Sequence, residues 1–362
     1  FFLFINFLQI KNRTMKKAQL IMVAMLFTIG TVIAQSNTAY TDQSGAGTNS
    51  STVDQVGAYN NSDVDQIATN ASYDPNVSDV DQNGATNYSI VEQVGSGNNY
   101  ALTDQDGNSN RSSQNSFGAD NEVFATQIGN GNGADNHQSG SGNMAASTQT
   151  GNNNSSHTDQ YFSFRYSGSM TADYNEATVN QTGNSNTSRV YQRGEYNDAT
   201  VDQVGDYNYS YNNSYGDYNG IDVDQIGNNN YSSASQNGDL NTATAYQEGY
   251  MNHSTINQAG DGNDGDASQI GDHNDGWIAQ SGDGNDADAT QTGDYNDSDI
   301  DQVGNYNTGW TTQTGNNNES DVYQGGNSNG AYTTQTGNGN YSWINQTPGR
   351  SEERRVGKEC RS

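Results

Sequence analysis

The sequence predicts an all-β solenoid in which 22-residue coils, each made of two strands and two arcs, stack on one another. Three observations lead to this fold class. A glutamine recurs every eleven residues, a glycine and an asparagine follow it at fixed offsets, and the remaining residues alternate small or apolar with polar. This alternation has the two-residue period of a strand, and a repeat at a fixed period indicates a solenoid.

The glutamine repeat runs without an insertion from Gln181 to Gln346, through fifteen intervals of eleven residues, and Ser214 is its one exception. From the first of these positions to the fifteenth, glycine stands two residues after the repeat position (Gly183 to Gly337) and asparagine five residues after it (Asn186 to Asn340). We expect both amide side chains to face inward and stack as ladders. The glutamines are Gln181, Gln192, Gln203, Gln225, Gln236, Gln247, Gln258, Gln269, Gln280, Gln291, Gln302, Gln313, Gln324, Gln335 and Gln346. The asparagines that follow a glutamine are Asn186, Asn197, Asn208, Asn230, Asn241, Asn252, Asn263, Asn274, Asn285, Asn296, Asn307, Asn318, Asn329 and Asn340.

Each unit reads as one strand and one arc. Glycine and asparagine both tolerate positive φ values, so both are expected to form the sharp corner. Towards the N-terminus the unit continues to Gln43 with slips, which include an insertion containing Pro75 and an irregular unit that holds Phe162, Phe164 and Arg165. Insertions are expected in arcs, where extra residues can bulge outward.

Side-chain size predicts that two units make one coil. Nine residues after the repeat position, a large series spaced by 22 residues reads Ile256, Ile278, Ile300, Val322 and Ile344. The interleaved small series reads Ala245, Ala267, Ala289, Thr311 and Thr333. Large side chains opposite small ones fill a thin interior at uniform width, and small residues such as Ser188 and Ala199 let the two sheets approach. From Gln43 to Gln346 we expect roughly 14 coils, about 65 Å in height.

The two ends do not follow the repeat. Residues 1–14 are expected to be upstream read-through, and residues 15–34 a signal peptide that begins with Lys16 and Lys17 and is cleaved before Gln35. Residues 35–42 form a short N-terminal segment, and residues 43–349 form the repeat solenoid. Residues 350–362 read as translated sequencing adapter, which would place the chain's one cysteine, Cys360, outside the natural protein.

The repeat region is strongly acidic. Three of the chain's 42 acidic residues lie in residues 350–362, so 39 remain in residues 35–349, where only four basic residues occur and the net charge is −35. These four are Arg111, Arg165, Arg189 and Arg193. Such a surface argues against nucleic acid and anionic membranes as partners. The low apolar content argues against an ordinary globular core.

One group of carboxylates suggests a cation site. Asp217, Asp239, Asp261 and Asp283 are spaced by 22 residues and should stack on one arc. Asp264 and Asp286 lie three residues further on, within the same arcs. Stacked carboxylates could bind Ca²⁺ weakly or form a solvated acidic face, and the sequence leaves both readings open.

No catalytic constellation and no cofactor site is expected. The four histidines occupy different phases of the repeat and should lie on exposed arcs: His137, His157, His253 and His273. Two other binding functions are alternatives. A calcium-dependent β-roll would need a nine-residue repeat, and an ice- or surface-binding solenoid would need a long threonine ladder. The threonine ladder has three rungs, at Thr290 and Thr292, Thr312 and Thr314, and Thr334 and Thr336.

The unit Q-x-G-x-x-N-x-[A/S]-x-x-x-Q occurs, for example, from Gln192 through Gly194, Asn197 and Ala199 to Gln203. Repeated over nearly all of residues 43–346, it closely resembles the curlin repeat of curli fibre subunits. The resemblance implies a secreted subunit of extracellular amyloid fibres on a Gram-negative cell, with a role in biofilm matrix, cell aggregation and adhesion. It implies as partners further copies of the chain, an outer-membrane secretion pore and a nucleator subunit, without membrane insertion. It also implies that the inward glutamines and asparagines matter most for assembly.

Overall fold

A computed structural model describes residues 18–28, 31–70, 75–161, 172–347 and 350–352. All regular secondary structure among these residues is β-strand. None of them forms a helix long and apolar enough to cross a membrane. Several sequence expectations fall outside the described residues, namely those for residues 1–14, Lys16 and Lys17, the irregular unit at residues 162–165, and Cys360.

The strands form two sheets. Sheet A contains, in spatial order, β1 (Ala18–Thr28), β2 (Thr31–Gly45), β4 (Asn61–Ala68), β6 (Tyr88–Gly97), β8 (Arg111–Ala119), β10 (Gly133–Ser141), β12 (Ser155–Gln160), β14 (Thr187–Arg193), β16 (Tyr209–Tyr215), β18 (Tyr231–Asn237), β20 (His253–Ala259), β22 (Asp275–Ser281), β24 (Asp297–Val303), β26 (Glu319–Gly325), β28 (Tyr341–Thr347) and β29 (Arg350–Glu352).

Sheet B contains β3 (Asn49–Ala58), β5 (Asn76–Ala85), β7 (Tyr100–Asn108), β9 (Glu122–Asn130), β11 (Met144–Asn152), β13 (Glu176–Asn184), β15 (Asp198–Val204), β17 (Gly220–Asn228), β19 (Thr242–Tyr250), β21 (Asp264–Asp272), β23 (Asp286–Thr292), β25 (Thr308–Thr314) and β27 (Gly330–Thr336). From β2 to β28 successive strands alternate between the sheets, and strands within a sheet pair in parallel. β1 and β29, which lie in the segments predicted to be signal peptide and adapter, pair antiparallel with β2 and β28.

The predicted 22-residue coil is confirmed by the strand register. In the C-terminal half of sheet A, Gln258 pairs with Gln280 and Gln280 with Gln302. The number of coils was overestimated, since sheet B contains thirteen strands and the solenoid about thirteen turns. The prediction divided the length by 22, whereas four turns are longer. Gln66 and Gln93 are 27 residues apart, Gln160 and Gln192 are 32 apart, and two further turns have 23 residues each. The two long insertions fall, in sequence, between β4 and β5 and between β12 and β13.

The interior is thin and mixed in polarity. Ile256, Ile278 and Ile300 are fully buried on sheet A. Ala245, Ala267 and Ala289, which are 1–2 % exposed, are their counterparts on sheet B, and both series lie in one apolar cluster. The small residues predicted to let the sheets approach are also buried: Ser188, Ala199, Ala243, Ser254, Ala287 and Ser298. The predicted alternation of large and small side chains across the interior is therefore confirmed.

The arcs correct one expectation about φ. The arc glycine does have a positive φ, as at Gly227 (+117°). The second positive φ of each arc, however, falls on the residue before the repeated asparagine and not on the asparagine itself. Tyr207 (+60°) and Asn229 (+57°) are examples, and they precede Asn208 and Asn230. The asparagine does not form the left-handed corner because its side chain is turned into the solenoid, where it is buried.

Candidate functional site

The candidate site consists of two kinds of buried amide ladder, a glutamine ladder on each sheet and an asparagine ladder on each arc. The predicted glutamines from Gln181 to Gln335 are at most 6 % exposed. Gln269 shows the pattern: its Nε2 donates to Oε1 of Gln291 at 2.9 Å and to the carbonyl of His253 at 2.7 Å. Its Oε1 accepts from Nε2 of Gln247 at 2.9 Å. One amide proton thus continues the ladder, and the other joins the two sheets.

The asparagine ladder runs in the opposite direction. The backbone N–H and Nδ2 of Asn274 both donate to Oδ1 of Asn252, in the preceding coil, at 3.0 and 3.1 Å. The remaining Nδ2 proton is donated to the carbonyl of Gly293, in the following coil, at 2.7 Å. Glutamines donate towards the C-terminal coil while asparagine side chains donate to the Oδ1 of the N-terminal neighbour. Each coil therefore presents donors and acceptors on both of its flat faces.

Serine interrupts the glutamine ladder of sheet A at two coils. Ser214 lies between Gln192 and Gln236, and its Oγ donates to Oε1 of Gln236 at 3.2 Å. Gln192 keeps its bond to the carbonyl of Glu176 at 2.8 Å but faces no glutamine in the next coil. At the second interruption Ser116 precedes Gln138, whose buried Oε1 has no hydrogen-bond partner among the described residues.

Restoring the missing rung is expected to stabilise the solenoid. In Ser214→Gln, Nε2 of Gln192 gains an acceptor and Oε1 of Gln236 gains a full amide donor, each net bond contributing about 0.5–1.5 kcal/mol. Ordering the new side chain offsets part of that gain, so we expect a net increase of about 1 kcal/mol in the free energy of unfolding. Urea titration of freshly desalted protein measures it. Asn213→Gln, on the outward side of the same strand, should change the midpoint little. A midpoint for Ser214→Gln at or below that of the parent would contradict the prediction.

A third kind of ladder lies on the arcs, where the stacking of aspartates was predicted but their bonds to backbone N–H groups were not. The carboxylate or amide three residues after the glutamine accepts the backbone N–H of the same position in the preceding coil. The N–H of Asp217 donates to Oδ1 of Asp239 at 2.8 Å, and the N–H of Asp261 donates to Oδ1 of Asp283 at 3.1 Å. The restriction of this position to Asp or Asn in most units was the available sequence signal. It reflects the need for an acceptor oxygen on a short side chain.

The six aspartates considered for calcium divide into two sets. Asp217, Asp239, Asp261 and Asp283 stack on one arc and cap backbone N–H groups. Asp264 and Asp286 do not lie in the arcs as expected, because they begin strands β21 and β23, where they are paired neighbours. Among the described residues, no group of three or more His, Cys, Asp or Glu side chains is arranged to hold a metal ion. Calcium binding stays a prediction.

Carboxylates also stack on the outer faces of the sheets. The pKa of Asp297 is raised to about 6, first by partial burial between neighbouring strands and then by the charges of Asp299, Asp275, Glu319 and Asp321. The pKa values of Asp264 and Asp288, on sheet B, are raised for the same two kinds of reason. These groups hold protons more tightly in the folded chain than in the unfolded one.

The raised pKa values predict greater stability at mildly acidic pH. Because the folded-state pKa of Asp297 is about 6 and the ordinary pKa of an aspartate is 3.8, the folded chain binds more protons between these values, and stability falls as pH rises through that window. The urea midpoint should be higher at pH 4.5 than at pH 7.5. In Asp297→Asn this difference should shrink, while Asp217→Asn, on an arc, serves as the control. A midpoint that rises with pH over this range would refute the argument.

The four histidines do not come together in one site. They were expected on exposed arcs, but three of them lie on strands. Only His273 is on an arc, where it stacks on Tyr295 at a ring distance of 4.7 Å. His137, His157 and His253 lie on strands of sheet A, each beside an aspartate of a neighbouring strand. Tyrosines also stack on the arcs, as Tyr196 does on Tyr218 at 4.9 Å. The three threonine rungs lie on the outer face of β23, β25 and β27, and extend no further along sheet B.

Comparison with known protein families gives a match in the C-terminal half of the solenoid. The model of the curlin associated repeat matches residues 194–227, 227–260 and 260–293. Each matched segment begins and ends at an arc glycine with a positive φ, so each covers three whole units of strand and arc. No curated protein matches the chain. The repeat family and the solenoid fold together point to a structural role.

Proposed function

We propose that this curlin-repeat protein is a structural subunit of curli-like extracellular amyloid fibres that form biofilm matrix and mediate cell aggregation and surface adhesion. It acts without catalysis. It is exported by way of an N-terminal signal peptide and an outer-membrane pore, and a nucleator subunit starts its assembly. The observation that carries this proposal is the common register of the amide ladders, in which each coil repeats the contacts of the coil before it except where Ser116 and Ser214 replace glutamine.

The flat face of a coil is complementary to the opposite face of any other coil. Towards the C-terminus a coil presents Nε2 donors from glutamine, and towards the N-terminus it presents Oε1 acceptors, as Gln269 does. The asparagine Oδ1 and Nδ2 groups have the reverse arrangement, as at Asn274. A coil of a second copy can therefore continue both ladders only in the head-to-tail sense. Head-to-head contact would place donor against donor. Such faces also offer unpaired backbone groups, which favour strand addition.

Fibre formation by the full chain without its leader tests this function. After rapid removal of denaturant we expect thioflavin fluorescence to rise after a lag, and sonicated fibres to shorten that lag. Electron microscopy should show unbranched fibres. Aligned fibres should diffract at about 4.7–4.8 Å along the fibre axis, the spacing of stacked strands. A chain that folds into β-structure yet stays monomeric at high concentration, with or without seeds, would overturn the proposal.

The acidic surface predicts that screening accelerates this assembly. Fibre growth brings together copies that each carry a net charge near −35 between residues 35 and 349, and salt shortens the range of their repulsion from about 30 Å at 0.01 M to about 10 Å at 0.1 M. The thioflavin lag should therefore shorten between these salt concentrations. If millimolar Ca²⁺ shortens it more than the same ionic strength of NaCl, the arc aspartates bind calcium specifically. Kinetics that do not respond to salt would contradict the prediction.

A further inference from the structure

The outer face of sheet A is divided into oppositely charged zones. The basic zone comprises β8, β10, β12 and β14, and each of these strands contributes a basic side chain. They are Arg111, His137, His157, Arg189 and Arg193. These include three of the four arginines between residues 35 and 349. A shallow depression of about 420 Å³ lies within the zone, lined in part by Arg111, His157 and Arg189.

The arginines supply the surplus charge of the basic zone. Its two outward carboxylates, Asp135 and Asp159, are occupied by histidines, at 3.3 Å from His157 and 3.5 Å from His137. Among the described residues no ion pair joins an arginine of this zone to a carboxylate. Nη1 of Arg193 instead donates to the hydroxyl of Tyr215 at 2.8 Å, and its guanidinium carbon lies 4.8 Å from the centroid of that ring.

The acidic zone comprises β22, β24 and β26 of the same sheet. Its outward carboxylates are Asp275, Asp297, Asp299, Asp301, Glu319 and Asp321. Six strand spacings separate β12 from β24, or about 29 Å. That distance is well beyond the screening length of about 10 Å at 0.1 M salt. The two zones therefore do not neutralise each other within one chain.

An aromatic strip lies between the two zones. Tyr209 on β16 and Tyr231 on β18 stack at a ring distance of 5.3 Å with their planes 6° apart. Tyr231 is 37 % exposed and Trp277, at the edge of the acidic zone, is 42 % exposed. Aromatic side chains and arginines are enriched in protein interfaces. This centre therefore has the composition of a contact surface.

We propose that sheet A is a self-association surface through which two solenoids pair side by side in antiparallel orientation. The strand order places β18 midway between the zones. A two-fold axis at β18, parallel to the strands, sets β14 of one copy against β22 of the other, β12 against β24, and β10 against β26. Each basic zone then meets an acidic zone, and both contacts are identical, as in any isologous dimer. A parallel, in-register pair would instead oppose the two acidic zones.

Charge reversal followed by mixing tests the pairing. Arg189→Glu with Arg193→Glu, both on β14, makes the basic zone acidic. Arg in place of Asp275, Asp297, Asp299 and Asp321 leaves two carboxylates, Asp301 and Glu319, in the acidic zone and makes it basic. Sedimentation velocity of the freshly desalted full chain at about 0.05 M salt should show a parent dimer. Either charge-reversed variant alone should bind itself at least tenfold more weakly. An equimolar mixture of the two should recover the parent affinity, because each contact then joins opposite charges again.

A sheet B variant controls for net charge. Thr178→Glu, Thr200→Glu, Thr244→Glu and Thr312→Glu together change the charge by −4, as the two arginine reversals do, and should leave the dimer intact. Self-association of either charge-reversed variant at the parent affinity, or a mixture that fails to recover it, overturns the pairing, as does a parent that is monomeric under these conditions. Thioflavin growth is read separately: its loss in the parent would contradict the fibre function and not the side-by-side pairing.

Discussion

Replacing Gly227 with alanine is expected to destabilise the solenoid strongly. Gly227 has a φ of +117°, a backbone conformation that side chains rarely adopt. A Cβ built there lies 2.0 Å from the carbonyl oxygen of Gly249 in the next coil. Backbone strain of about 1–3 kcal/mol and overpacking of about 1–3 kcal/mol together predict a loss of about 2–6 kcal/mol.

Two other glycines separate the causes of this loss. Gly220 lies in the same strand, β17, with open space around its Cβ position and no positive φ, so Gly220→Ala should be neutral or slightly stabilising. Gly262 has a φ of +66° but also faces open space, so Gly262→Ala should cost only about 1–2 kcal/mol, the strain of a left-handed residue. The urea midpoint should be lowest for Gly227→Ala, intermediate for Gly262→Ala and highest for Gly220→Ala, and the thioflavin lag times should follow the same ranking. Equal effects of Gly227→Ala and Gly220→Ala would show that coils are not stacked at these arcs.

The sequence contained enough information to predict the stacking but not the corners. Strict periodicity of the glutamines and the paired series that includes Ile278 and Ala289 required one coil length and one inward face. The left-handed corner is different, because the residues that occupy it are as varied as Tyr207, Asn229 and Leu240. Propensity therefore favoured the invariant asparagine for that role. The burial of this asparagine and its bonds to two neighbouring coils became evident only from the structure.

The direction of the ladders was also beyond the sequence. A primary amide can donate to either neighbour, and periodicity alone does not distinguish the two. The choice follows from the second proton: Nε2 of Gln269 must reach the carbonyl of His253 on the facing sheet, while Nδ2 of Asn274 must reach the carbonyl of Gly293 in the arc. Each amide is oriented by this cross-contact, and the ladder direction follows. Because both protons are used, the interior tolerates polar side chains that would otherwise be costly to bury.

Gln291→Glu is expected to have the second of the two largest effects, because it places a carboxylate where two donors are needed. Nε2 of Gln291 donates to the carbonyl of Asp275 at 2.7 Å and to Oε1 of Gln313 at 3.0 Å, and its Oε1 accepts from Gln269 at 2.9 Å. The side chain is 0 % exposed. An ionised glutamate would keep only the bond from Gln269 and would face two acceptors. Unpairing buried groups at about 1–3 kcal/mol each, besides burying the charge itself, predicts a loss of at least about 3 kcal/mol.

Acid should partly restore this variant. Burial raises the pKa of a carboxyl group, so the introduced glutamate takes up a proton on folding, and the protonated form can donate to Oε1 of Gln313. Stability lost at pH 7.5 should therefore return as pH falls towards 4.5, by more than in the parent chain. Thr292→Glu adds the same charge to the exposed neighbouring position on β23 and should change the free energy of unfolding by less than about 0.5 kcal/mol. If the two glutamates prove equally tolerated at pH 7.5, Gln291 does not face the interior and the ladder is not what holds the coils in register.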